Sequence, residues 1–327
     1  MLINSSTLKE YNGKTLNDFG ETVDGITTYR LLNDIDFKGV DCSKLEHVGK
    51  NSNRRFENIF DGQGHTISNL TLITSDGFTG IFGYIGDNGI VKNLHASSCN
   101  ATIPADASSK TGVGVIAGSN SGIITDCFVE DCTIKSALGT VLGGIAGSSK
   151  GTIINCEVCN STLQSNSSTG GIVGNSDNGT IFNCFSAKNT IKAGKNGYGG
   201  GISGASTNSP TTIHNCYTYD ITLTKNLSHG LIIGTAKSST ITHCYYLYST
   251  YWKMIGPNSA SINNETSNNA SYDFNFIDAI NGMPIYELLN QWIETEAPTL
   301  YPEFTFTRWT DGGGNLPAVF IKEIKSK

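Results

Sequence analysis

The sequence predicts an all-β chain wound as a right-handed parallel β-helix. In this solenoid of short strands, a small C-terminal capping segment containing one short helix closes the array. Three observations carry the prediction. One phrase, an apolar run flanked by glycine, a bend, an aliphatic residue and Asn-Cys or a variant, is written six times between Gly80 and Tyr246. Its apolar positions are β-branched and show no helical period. The chain of 327 residues is also long enough to grow by adding coils, with only 15% charged residues and a net charge of −6.

The composition excludes several function classes. No lysine or arginine run could follow a phosphate backbone, so nucleic acid is not an expected partner. No apolar stretch approaches the roughly 20 residues of a membrane span, and Met1 to Lys14 lacks the basic-then-apolar layout of a signal peptide. Nine cysteines cannot all pair within one chain, and their place in the repeat argues against bridges. Asn-x-Thr sequons such as Asn69-Leu70-Thr71 are expected by chance in a chain this rich in Asn, Ser and Thr.

In chain order, residues 1–27 read as an entry segment and N-terminal cap, 28–252 as the coils, and 253–327 as a linker and C-terminal cap. Thr28 to Leu32 is the expected first strand. Asp34 and Asp36 share one face around Ile35 and read as a solvated edge rather than a calcium or acid/base pair. Phe56 to Leu70 approaches a turn at Asp61-Gly62-Gln63-Gly64, where both glycines are expected to supply positive backbone angles. His65 then reads as a capping residue of that turn.

The repeats align on Asn93-Leu94, Asp126-Cys127, Asn155-Cys156, Asn183-Cys184, Asn215-Cys216 and His243-Cys244. Three residues before each second member stand Val91, Ile124, Ile153, Ile181, Ile213 and Ile241. Seven residues after four of the cysteines comes Ile134, Leu163, Ile191 or Leu223. Stacked coils about 4.8 Å apart turn these positions into ladders. The aliphatic ladder and the ladder Cys127, Cys156, Cys184, Cys216 and Cys244 are expected to form a structural core. The Asn ladder is expected at a bend, hydrogen-bonded along the stack. The phrases FENIFDGQGHTISNLTL and GIFGYIGDNGIVKNL, with GIAG, GIVG and GISG followed by Asn-Cys, resemble the GLUG repeat family of bacterial and phage-associated surface proteins. The likeness spans roughly Tyr29 to Tyr246, and the stretches at Leu289 to Trp292, Thr307 to Trp309 and Leu316 to Phe320 resemble the segment that closes such arrays. It implies a right-handed parallel β-helix and brings no catalytic residues to transfer. The chain departs from the pattern at Leu94 and His243.

Beyond the coils, Pro284 to Glu294 places Ile285, Leu288, Leu289 and Trp292 at helical spacing, with Pro284 suited to a first turn. This helix, with Phe304, Phe306 and Trp309 in a following strand pair, reads as the cap over the terminal coil. An aromatic cluster, Tyr248, Tyr251 and Trp252, precedes a polar linker from Asn258 to Ser271; it could stack on sugar rings or pack under the cap.

Reactive side chains are few. Asp126, Glu130, Asp131 and Glu157 on two neighbouring coils form the densest acidic patch, without a basic partner in phase, and read as a solvated bend rather than a hydrolytic pair. Cys127-x4-Cys132 and Cys156-x2-Cys159 could hold zinc only if non-equivalent phases converged. No cofactor, metal or catalytic residue is therefore assigned. The reading is a non-enzymatic surface or appendage protein, at the cell surface, extracellular or on a virion. It would serve adhesion or recognition of a glycan or of a host or partner surface protein. The alternatives are a polysaccharide lyase or glycosidase and a structural phage component. Specificity is expected where coils differ, in the loops Ala101 to Gly112 and Ala205 to Thr212 and at the aromatic C-terminal end.

Overall fold

Short β-branched triplets separated by residues that tolerate left-handed backbone dictate a chain that bends every few residues. In the computed structural model each coil carries up to five such strands. Residues 20–72, 77–103, 112–136, 139–223, 228–237, 239–246, 255–256, 279–280, 283–312 and 319–320 are described. One coil runs through Ala117–Asn120, Ile123–Thr125, Phe128–Glu130, Thr133–Ser136 and Val141–Gly143. Each strand pairs in parallel with its counterpart one coil away, so the chain builds five parallel sheets, a right-handed parallel β-helix.

The strands stack in register. Val91, Ile124, Ile153, Ile181, Ile213 and Ile241 face one another in order along one sheet and are all fully buried. Cys127, Cys156, Cys184, Cys216 and Cys244 lie beside them at 0–5% exposure. These thiols also act as donors. Cys156 Sγ donates to Ile154 O at 3.1 Å, Cys184 Sγ to Phe182 O at 3.1 Å and Cys216 Sγ to His214 O at 3.2 Å, so each serves a carbonyl at the bend it follows. Burial holds the Cys127, Cys156, Cys184 and Cys216 thiols far above their ordinary pKa, keeping them protonated.

Two columns of left-handed residues turn each coil. The first is Asn93, Asp126, Asn155, Asn183, Asn215 and His243, with φ between 50° and 55°. The second is Asn69, Ser98, Asp131, Asn160, Lys188 and Asp220, with φ between 50° and 56°. Asn and Asp dominate both because their short polar side chains lower the cost of that conformation. At the Asp61 turn, the positive angles fall on Gln63 and Gly64, not on Gly62. Gly62 is required for another reason: a Cβ there would meet Asn93 O at 2.4 Å. The repeat glycines act likewise, since a Cβ on Gly174 would lie 2.5 Å from Leu142 N. They let two sheets touch at a corner rather than providing a turn.

At the N-terminal end, β1 (Gly20–Val23) folds back antiparallel on β2 (Ile26–Arg30) through Asp24 and Gly25, both at positive φ, and covers the edge of the largest sheet. The C-terminal segment carries the one short helix expected of it, and among the described residues it lies along the flank of the coils. Helix α1 (Ile285–Thr295) begins one residue after Pro284 and buries Ile285, Leu289, Asn290 and Trp292. Among the described residues its contacts are lateral, with Phe182, His214 and His243 of three successive coils. Only Trp309–Thr310 of the following stretch is strand, paired with Val319–Phe320; Phe304 and Phe306 precede it and pack on Phe182. The segment is thus a brace along the flank, placed there by an outward column of aromatics, Phe185, Tyr217 and Tyr245, which would otherwise face water.

Candidate functional site

The first-bend column is the feature on which the brace and the site depend. Along it each amide donates to the coil before: Asn215 Nδ2 to Asn183 Oδ1 at 2.9 Å, Asn183 Nδ2 to Asn155 Oδ1 at 2.8 Å and Asn155 Nδ2 to Asp126 Oδ1 at 3.0 Å. An amide has two N–H groups and two lone pairs, so half its capacity remains. The brace takes it. Asn155 Nδ2 donates to Thr305 O (2.9 Å) while Thr307 N donates to Asn155 Oδ1 (3.1 Å). Asn183 Nδ2 donates to Thr307 O (2.8 Å) while Asn183 Oδ1 accepts from Trp309 Nε1 (2.5 Å), and Asn215 Nδ2 donates to Leu289 O (3.1 Å). Asn290 fixes Trp309 by bonds to its N and O at 2.9 and 2.8 Å.

Among the described residues the contacts of the brace end at Asp126, and the column continues towards the N-terminal coils as a groove of about 1040 Å³. Its floor is Asp61, Asn93 and Asp126, its wall His95, Phe128 and Glu157, and its end Thr307, Arg308 and Phe320 of the brace. His95 stacks on Phe128 with ring centres 4.6 Å apart. It also joins a chain across three coils, with Nδ1 to Thr66 Oγ1 at 3.1 Å and Nε2 to Glu130 Oε1 at 3.0 Å.

The carboxylates are engaged as acceptors. Burial alone would raise the Asp61 carboxyl, but bonds from Asn93 and Gln63, with Lys92 and Arg30 nearby, outweigh it and hold the group below the ordinary carboxylate range. Asp126 accepts from Asn155 and Thr307 through Oδ1 and from Thr125 through Oδ2. Buried Glu157 accepts from the Cys159 thiol at 3.2 Å. A glycosidase acid needs a carboxyl kept protonated near neutrality, the opposite of Asp61.

The other sequence-derived candidates fall as follows. Tyr248, Tyr251 and Trp252, the linker, and most of the loop Ala101 to Gly112 lie outside the described residues. The loop Ala205 to Thr212 is tied down, with Asn208 N and Nδ2 and Ser209 N all donating to Asp177 at 2.7–3.3 Å. Cys127 and Cys132 sit at opposite ends of the strand Phe128–Glu130, and Cys132 belongs to a second internal column in which Cys99 N donates to Cys132 Sγ and Cys132 N to Ser161 Oγ. Asp34 accepts from Thr66 N and Asp36 from Asn69 Nδ2, each tying its coil to the next. The acidic patch read from the sequence places Asp126 and Glu157 in the groove and Glu130 against His95 beside it; Asp61, Asn93 and His95 were not linked to it from sequence.

No protein-family model matches the chain. A segment of 86 residues, 26% of the chain, is 36% identical to a protein of Evansella cellulosilytica provisionally named as a Gly-rich membrane protein. That match spans about a tenth (10%) of the relative's length. Among solved structures, the chain is similar to a crystal structure from Bacteroides ovatus provisionally named as an immunoglobulin A1 protease, with a TM-score of 0.61 over 90% of this chain and 85% of that one. Identity there is 20%, so the likeness is one of fold. No helix among the described residues is long and apolar enough to cross a membrane.

Proposed function

We propose that the chain is a non-enzymatic recognition module of a bacterial surface or appendage protein, and that its flank groove makes the contact that serves adhesion. The observation that carries this reading is the groove's chemistry. Its carboxylates hold coils and brace together by accepting hydrogen bonds, and its polar groups present a static pattern rather than a proton donor and acceptor tuned apart. The local likeness to a longer protein named for its membrane character supports surface display. The repeat phrases support membership of the GLUG-like surface arrays, and a place on a virion remains within this reading because the same rigid solenoid would serve there. The test is a panel of soluble polysaccharides incubated with the purified chain, with product followed by reducing ends and by absorbance of unsaturated uronates. No turnover is expected. Turnover abolished by His95→Ala or Asp126→Asn would overturn the proposal in favour of a polysaccharide-active enzyme, the reading that three carboxylates in one groove would then support.

A further inference from the structure

We infer that the groove binds an extended peptide of a partner protein, held through its backbone by Asn93 and through one basic side chain by Asp126. The inference rests on the recognition reading above and names its partner class. The molecule already holds one peptide this way. Residues 305–309 lie along the first-bend column, and the contacts fall on alternate residues: Thr305 O and Thr307 N on Asn155, then Thr307 O on Asn183. Alternation is the mark of extended chain, whose successive residues face opposite sides. The backbone bonds read no side chain, so the column is a general holder of extended peptide.

Asn93 continues that column with its capacity unused. Its Nδ2 donates to Asp61 Oδ1 at 3.0 Å, the bond that each amide makes to the preceding coil. Among the described residues the remaining N–H and the carbonyl oxygen of its side chain take no partner. They are the groups with which Asn155 grips the brace. Asp126, between them, is exposed in the groove and has no cationic partner among the described residues. Where an amide offers a donor and an acceptor, this carboxylate offers acceptors alone, and so selects an ammonium or guanidinium. Continuity with the docked brace and this charge complementarity together favour a basic extended peptide over a sugar, which has no alternating donor and acceptor at peptide spacing.

The probe is a fluorescein-labelled heptapeptide alternating Thr and Lys, titrated by anisotropy against the full chain, with three comparison ligands. These are the same peptide N-methylated at alternate residues, its Thr/Glu counterpart, and a chitin oligosaccharide. The protein variants are Asn93→Gly, which keeps the left-handed backbone while removing the amide, and Asp126→Asn, which keeps the bond from Asn155 while removing the charge. Saturable binding of the Thr/Lys peptide is expected, weakened at least about tenfold by either variant and by N-methylation. The Thr/Glu peptide should not bind. Absence of saturable binding, or binding indifferent to both variants and to N-methylation, would overturn the inference. Chitin oligosaccharide binding that Asn93→Gly abolishes would overturn the peptide assignment yet leave the recognition reading standing, whereas polysaccharide turnover would overturn both.

Discussion

Acidification should loosen the folded chain through one side chain, His214. It lies between Phe182 and Trp292, with ring centres 5.5 and 6.1 Å away and planes within 22°, under Tyr301 of the brace. Its Nδ1 faces the Thr242 hydroxyl. Burial, aided by His243 nearby, pushes its pKa down from 6.5 to about 4. The unfolded chain therefore binds this proton more readily than the folded one between those values. The stability this group confers is complete above pH 6.5 and lost as pH falls through about 4. The pKa difference, at 1.36 kcal/mol per unit, corresponds to about 3 kcal/mol, an order-of-magnitude figure. The perturbation to compare is His214→Phe, which keeps a flat ring in the stack and cannot titrate. Urea unfolding followed by tryptophan fluorescence at a series of pH values would give the stability of both proteins. The wild type should lose about 3 kcal/mol more than the variant across that window. The ion pair of Arg308 with Glu294 at 2.5 Å is common to both proteins. A difference between the two proteins that does not change with pH would refute the assignment of a neutral, buried imidazole.

Three further outcomes follow from the packing. Ile153→Asp puts an unpaired carboxylate at a fully buried ladder position and should cost more than about 4 kcal/mol, read as collapse of the melting transition; an unchanged melt would contradict the inward ladder. Trp309→Ala removes a buried ring set edge-on against Phe185 and the donor to Asn183. Its cost of about 3–5 kcal/mol should fall on the brace, so limited proteolysis should cut residues 283–312 first while the coils stay intact. Lys188→Asn should stabilise by up to about 1 kcal/mol, because Lys holds a left-handed angle of 53° that Asn adopts more easily; a lower melting temperature would show that the Lys side chain does more than occupy the bend.

The coil was legible from residue types because each coil repeats the same physical problem. Val91 to Ile241 recur at one phase since a parallel stack puts equivalent residues in register, and Asn and Asp recur at the first bend since few other residues accept its backbone angle. The second bend was less legible: Asn69, Asp131, Asn160 and Asp220 share its conformation with Ser98 and Lys188, and those two exceptions break the motif. The thiols read as core residues, and their donation to bend carbonyls leaves no trace in spacing. Gly62 looked like a turn glycine, when what it provides is room against Asn93.

The groove and the brace show where such reading ends. A helix with an apolar face and nearby aromatics was evident between Pro284 and Trp309, and the need of a solenoid for end protection made a cap the expected role. Its position was decided by contacts between residues far apart in the chain, Asn155 with Thr305 and Asn183 with Trp309, separated by 150 and 126 residues. Periodicity carries no information about a segment that occurs once. By itself the sequence determined the coil, its core ladders and its first bend, because local conformation and stacking act identically at every turn. Only the tertiary structure decided that the C-terminal segment lies along the flank, and hence that, among the described residues, a column of amides is covered by peptide over one part and lines a groove over the other.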